Sequence, residues 1–257
     1  MNKSSRREFL QTGFNALVSY ALFDTLFARD AFGRAIQPFT QKLARELNDL
    51  CLDLRQHTIT LVQWQKRVEK FLAQVDLKDL LRLIDFDQLT KNFEFPDLGV
   101  NTKAVRLPKL EDLPEQYAFF SKIFGVKQGR AIIPHGHKNM VSAHLVLRGE
   151  FELRHYDKLE DQGDHLIITP TIDTLATAGK ASSISDDKNN IHWFITRSDY
   201  AFTFDVIMTN IDPAFGKPYD IENIDPAAAE KISGNLLRVK KLSVDEALQK
   251  YGKEMHH

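Results

Sequence analysis

The residues best suited to chemistry stand in one run, Gly129-Arg-Ala-Ile-Ile-Pro-His135-Gly-His137-Lys-Asn-Met-Val-Ser142-Ala-His144-Leu-Val-Leu-Arg-Gly149. His135 and His137 are at i and i+2, a spacing that puts both imidazoles on one face of a strand. Neutral imidazole is the commonest protein ligand for a divalent transition metal. A mononuclear centre needs at least three protein ligands, so a third must come from a distant strand. His192 is the candidate, in Ser185-Asp-Asp-Lys-Asn189-Asn-Ile-His192-Trp-Phe. It opens a strand-like run just after a turn in which Asn189 suits a positive φ. Three neutral imidazoles would keep the full 2+ charge of a metal and leave positions open. That suits a centre that binds a substrate and O₂, or one that activates water.

The run resembles the first cupin motif, in which a Gly is followed after five residues by His-x-His, then a Glu, then a Gly. Gly129, His135, His137 and Gly149 fall in register, and Ser142 stands at the Glu position. A serine there resembles the three-histidine cupins, best known from the thiol dioxygenases, which lack the carboxylate ligand. The second cupin motif, Pro-x-Gly-x-x-His-x-x-x-Asn, is matched at the histidine alone: here the positions read Asp187, Asn189, His192 and Thr196. The resemblance spans about residues 117 to 213. It implies an α+β, mainly β fold: a cupin-type double-stranded β-barrel (jelly roll) preceded by a small helical region. It implies a divalent metal on His135, His137 and His192, with Fe(II) the first expectation and Zn, Ni and Mn the alternatives. The implied function is a mononuclear non-heme Fe(II) dioxygenase acting on a small thiol or other small organic substrate. Two other readings stand beside it. One is a cupin module that binds a metal or small ligand without turnover. The other is a metal-free structural barrel.

Other residues near the run carry weaker signals. His144 falls two residues beyond Ser142, on the same face of a strand. It reads as a fourth ligand, a proton shuttle beside the metal, a partner to a ligand, or a core histidine held by a carbonyl. Tyr156 and Tyr200 are candidate acids, and His144 and Tyr156 are the residues assigned here to catalysis. Arg130, Arg148 and Arg154 offer bidentate contacts to a substrate carboxylate, or are surface charges. Trp193, Phe194, Phe202 and Phe204 are candidates for a cavity wall. His155 and His165 lie among charged residues and are expected at the surface.

The elements that would position these groups follow from pattern. Phe39, Leu43, Leu47, Leu50, Cys51 and Leu54 recur at helical spacing, and Leu61, Trp64, Val68, Phe71, Leu72 and Val75 do so again, with Thr58 or Thr60 as cap. A third helix is expected from Leu77 to Ile84 or Leu89. A proline-punctuated connection follows. Then come short strand-like runs at 102–107, 117–126, 131–135, 142–147, 150–156, 165–169, 174–176, 192–197 and 201–209, separated by turn residues. The tail from Pro213 reads as irregular and then helical, with Ser243 capping Val244–Tyr251. The expected organisation is 1–35 signal or anchor, 36–95 helical region, 96–213 barrel and 214–257 extension.

Near the N-terminus, Ser5-Arg6-Arg7-Glu8-Phe9-Leu10 is close to a twin-arginine export signal, and a modestly apolar stretch follows to Phe27. It predicts export by the twin-arginine translocase to the periplasm, with a membrane anchor retained if the signal is not cleaved. A single cysteine, Cys51, excludes intrachain disulfides and multi-cysteine metal sites. A net charge of −1 over 257 residues argues against a broad nucleic-acid surface. The expected partners are a small-molecule substrate and the translocase, with the helical region available for a homo-oligomer.

Overall fold

A computed structural model describes residues 31–107 and 113–253. The export motif at 5–10, the apolar stretch to Phe27 and the C-terminal His256 and His257 lie outside the described residues. Residues from Ile36 onward form one compact unit.

The helical segment follows its apolar periodicity. Helix α1 (Ala31–Arg55) buries Leu43, Leu47, Cys51 and Leu54 as one stripe. Burial pushes the Cys51 thiol up to about 12, so it packs as a neutral apolar group. Helix α2 (Leu61–Leu72) starts at a capping box, in which the Thr60 side chain accepts from the Gln63 amide and Gln63 returns the bond. It buries Trp64, Val68 and Leu72. The expected third helix is two short ones, α3 (Leu77–Leu83) and α4 (Phe86–Thr90), broken at Asp85, whose φ is +50°.

Twelve strands follow among the described residues. Five of them, β1 (Asn101–Val105), β2 (Phe120–Lys127), β4 (Met140–Arg148), β7 (Ala181–Ile184) and β9 (Tyr200–Thr209), make the smaller sheet, in the order β1-β2-β9-β4-β7. The larger sheet takes β3 (Ala131–Lys138), β5 (Glu150–Asp161), β6 (His165–Thr177), β8 (Ile191–Thr196), β10 (Asp220–Ile224), β11 (Glu230–Ser233) and β12 (Leu236–Leu242), in the order β10-β3-β8-β5-β6-β12-β11. All pairings are antiparallel. The two sheets face each other as the expected jelly roll, and helix α5 (Val244–Tyr251) packs Ala247 and Tyr251 against Ala131, Ile133 and Trp193 of the larger one.

Three segments differ from the sequence expectation. The runs at 165–169 and 174–176 are one strand, because β6 pairs along its length with β5. Pro170 is accommodated there because the register shifts beside it, opposite His155 and Tyr156. Strand β7 was not foreseen, being four residues of small polar and aliphatic type. The tail expected to be irregular supplies β10, β11 and β12, and β10 extends the larger sheet beyond β3.

The outward face of the smaller sheet is apolar. Val141, Ala143, Leu145, Leu147, Phe202, Phe204, Val206 and Met208 share one core with Leu43, Leu47, Trp64, Val68, Leu80 and Phe86 of the helices. Gly125 of β2 makes this docking close: a Cβ there would lie 2.4 Å from the Phe93 ring. Between the sheets, Val126, Ile132, Val146, Phe151, Leu153 and Phe194 form a second cluster that fills one part of the barrel. The residues that continue those inward positions along the strands are polar, and they form the site.

Candidate metal centre

Strand β3 places His135 and His137 two residues apart and on one face, as their spacing requires. A register shift between Ile132 and His135 sets them opposite β8, where His135 pairs with His192. Asn189, at φ +52°, makes the turn that delivers His192 to that position. The three rings meet: His137 Nε2 is 2.8 Å and His192 Nε2 is 3.1 Å from His135 Nε2. The candidate ligand atoms of the three all lie within 4.8 Å of one another.

The hydrogen bond of His135 fixes its tautomer. Its Nδ1 is 2.7 Å from the Ile133 carbonyl, which can only accept, so Nδ1 carries the proton and Nε2 presents a lone pair. Three Nε2 atoms this close repel unless a proton or a cation lies between them. Two nitrogens about 2.1 Å from one ion stand roughly 3.0–3.4 Å apart for angles from square to tetrahedral, close to the spacings here. Burial pushes His135 down to about 4, and burial with the neighbouring imidazoles holds His137 and His192 well below the usual histidine range. All three are therefore neutral at pH 7, the ligand form. The residues fit a divalent metal.

The three ligands belong to a longer pattern. Across β10, β3, β8 and β5 the register aligns Asn223, His135, His192 and His155 in one row. His155 was expected at the surface. It is instead 0% exposed, its ring centroid 6.2 Å from that of His192, and neither ring nitrogen has a hydrogen-bond partner among the described residues. Burial pushes it down to about 3. Its place follows from the alternation of Phe151, Leu153 and His155, which share the inward face of β5. The charged neighbours Glu152 and Arg154 belong to the other face. His165, with Asp164 at 2.7 Å, is part-exposed as expected.

A second row crosses the smaller sheet. Lys122, Asp205, His144 and Ser182 align across β2, β9, β4 and β7. The chain passes from one row to the other through Asn139 at φ +59°, which joins β3 to β4 and whose side chain bonds the backbone of Lys217 and Asp212. His144 faces His192 with ring centroids 4.9 Å apart. Its Nδ1 is 3.4 Å from the Ser182 hydroxyl and its Nε2 is 3.6 Å from Asp205. His144 therefore stands beside the three-histidine cluster, held by its own sheet, and is not one of the converging ligands. Ser142 lies two residues before it on β4 and is buried. Burial pushes Asp205 up to about 8, against the Thr203 hydroxyl and Lys122, so it is largely a neutral acid. Sequence reasoning missed it; its signal is a lone acid in the apolar run Ala201–Met208.

Several expected site residues lie elsewhere. Tyr156 packs among Leu166, Ile168, Ile191, Ile224 and Val239, away from the cluster. Tyr200 is exposed and stacks on Phe95. Arg148 covers Phe86 on the helical side and pairs with Asp87. Arg154 covers Trp193 and pairs with Glu152. Arg130 bonds the Gly129 carbonyl. None of the three arginines reaches the histidines. Of the four aromatic candidates, Phe194 alone touches them; Phe202 and Phe204 face the helices, and Trp193 packs on Tyr251.

No protein-family model matches the chain, and no curated protein matches it. Among solved structures it is similar to procruciferin, an 11S globulin from Brassica napus, at 14% identity and TM-score 0.30, over 41% of this chain and 23% of that one. Recombinant oxalate oxidase in complex with glycolate is similar at 16% identity and TM-score 0.34, over 49% and 55%. KdgF from Halomonas sp. is similar at 13% identity and TM-score 0.32, over 46% and 87%. The chain thus spans under a quarter of the procruciferin chain and about half of the oxalate oxidase chain. Likeness at this level bears on neither chemistry nor ligand.

Proposed function

We propose that the protein is a metalloenzyme in which His135, His137 and His192 hold one Fe(II), and that it acts as a dioxygenase on a small thiol or other small organic substrate. The observation that carries the reading is the convergence of three neutral Nε2 atoms with no carboxylate among them. Iron held by neutral ligands alone supplies open positions at which a substrate and O₂ are brought together. For a thiol the balance is RSH + O₂ → RSO₂H, with both oxygen atoms retained in the product.

The protein residues have defined tasks in this reading. The Ile133 carbonyl keeps the His135 lone pair aimed inward. His144 sits within reach of a group bound at the cluster and moves a proton through Nε2. Phe194 and the apolar cluster behind it exclude water from the other part of the barrel. We also read the segment Ser5–Leu10 as directing export through the twin-arginine route, which carries folded proteins.

The test is metal content of untagged protein purified anaerobically, beside a His135→Ala/His137→Ala double variant. About one iron per chain, lost in the variant, with O₂ uptake over a panel of small thiols, is the expected result. A chelatable metal without O₂ uptake over that panel would favour a binding module. Zinc or nickel in place of iron would move the reading to hydrolytic or binding chemistry, and no metal after reconstitution would leave a structural barrel.

A further inference from the structure

Helix α2 buries Trp64, Gln65, Val68 and Leu72, and Gln65 is the polar exception among them. An amide only 3% exposed is costly unless hydrogen-bonded, and a helix that merely covered the barrel would carry an apolar side chain there. The bonds of Gln65 run to one stretch of chain. Its Nε2 donates to the Ser183 and Lys188 carbonyls, each at 3.2 Å, and its Oε1 accepts from the Ser185 hydroxyl at 2.7 Å. One turn further along the helix, Glu69 accepts from the Ser183 hydroxyl at 2.6 Å, on the same helix face.

The stretch 185–190 leaves β7 of the smaller sheet and enters β8 of the larger one, ending two residues before His192. Ser185 is its hub. While donating to Gln65, the Ser185 hydroxyl accepts from the Asp187 and Lys188 amides at 3.2 and 3.3 Å. The Ser185 carbonyl accepts from Asn190 Nδ2 at 3.1 Å, and the Asn190 carbonyl accepts from the His137 amide at 3.1 Å. A continuous run of hydrogen bonds therefore leads from helix α2 to the backbone of one ligand and to the threshold of another. On the barrel side, Asp157 accepts from the Asn189 amide and Asn190 accepts from the Lys158 amide. The loop is gripped between strand β5 and the helix.

We propose that Gln65 is a positioning residue of the three-histidine centre: from the helical region it fixes the loop that presents His192. The fixing of the loop stands on the hydrogen bonds alone; its effect on a metal rests on the metalloenzyme reading. With this tether cut, Asp157 and Asn190 still hold the loop to the barrel, so His192 is in place for part of the time rather than lost. Apparent metal affinity then falls in proportion to that fraction.

Two measurements on the full chain test this separately. Gln65→Met keeps the side-chain length and removes the three bonds. Val68→Ala removes packing from the same helix and no bond to the loop. In metal-free protein, amide hydrogen exchange should quicken across 185–192 in Gln65→Met and not in Val68→Ala, each compared at the same interval below its melting midpoint. Co(II) titrated into the same proteins should bind about ten-fold more weakly in Gln65→Met, the lower end of the loss expected for an outer partner of a metal ligand. In Val68→Ala it should stay within about two-fold of the wild type. Ser185→Ala cuts the same link from the loop side and serves where Gln65→Met does not fold. It should reproduce both changes, and the double variant should be within about two-fold of Ser185→Ala, because both substitutions remove one link. Unchanged exchange over 185–192 in a folded Gln65→Met or Ser185→Ala overturns the proposal. So does faster exchange with unchanged Co(II) affinity, or an equal loss of affinity in Val68→Ala. If the wild type binds no Co(II), the metal reading fails, and exchange alone decides whether Gln65 holds the segment that carries His192.

Discussion

The two polar rows that face each other across the barrel are built alike and differ in chemistry. Each takes one residue from four adjacent antiparallel strands, and each is buried. The row on the larger sheet, Asn223, His135, His192 and His155, carries no charge at neutral pH and presents lone pairs. The row on the smaller sheet, Lys122, Asp205, His144 and Ser182, instead brings an amine, a carboxyl, an imidazole and a hydroxyl into register. One wall suits a metal; the other sets ionisable groups opposite it. Strand pairing alone brings together residues as far apart in sequence as Lys122 and Asp205.

The sharpest way to break the comparison is to remove one wall at a time. His192→Ala should lower metal from about one per chain to roughly a tenth or less, since two histidines hold an ion poorly. His144→Ala should keep the metal and slow turnover by roughly 10²-fold, the scale of a lost proton-transfer group. Metal analysis beside steady-state kinetics separates the two, and loss of metal in both variants would merge the walls into one site.

Stability against pH sharpens the contrast further. In metal-free protein the five buried imidazoles, His135, His137, His144, His155 and His192, all titrate below their unfolded value of about 6.5. Below that pH the unfolded chain gains protons that the folded chain refuses. Stability is therefore full above about pH 6.5 and is lost as pH falls toward 4 and below. Thermal melts should show a markedly lower midpoint at pH 5 than at pH 8. Asp205 has the opposite sign. Its folded value of about 8 exceeds an unfolded value of about 3.9, so its burial costs stability increasingly as pH rises between them. Asp205→Asn should raise the melting midpoint at pH 8 and leave it unchanged at pH 4; a uniform loss at both would show the carboxylate to be charged and needed. The smallest effect is expected for Tyr156→Phe. Metal content and turnover should stay within about two-fold, because Tyr156 packs outside both rows.

How much of this was legible follows from what each signal depends on. The pair His135 and His137 needs only the two-residue period of a strand, and it was readable. So were the stripe on α1 and the Thr60 cap, which are local. His192 was readable through its turn and the resemblance around it. His155 was not identified because the neighbouring charges Glu152 and Arg154 obscured the alternation of its strand, and Asp205 was overlooked although it stands as a lone acid in the apolar run Ala201–Met208. Lys122 and Asn223 joined the rows through pairings between distant strands, and no local pattern reports a register. Tyr156 lies outside the rows because the alternation of β5 places His155, the residue before it, on the inward face, and adjacent strand residues point to opposite faces.

The smaller sheet is inside-out. Its row of Lys122, Asp205, His144 and Ser182 lies on the barrel side, while Val141, Leu145, Phe202, Phe204, Val206 and Met208 point away from the barrel into the core shared with the helices. The barrel is therefore not a portable module. Cut free at about residue 96, it would carry a greasy outer wall with nothing to cover it, and such a face drives self-association. Any attempt to transplant this centre into another protein has to bring the helices along as its lid on the outside.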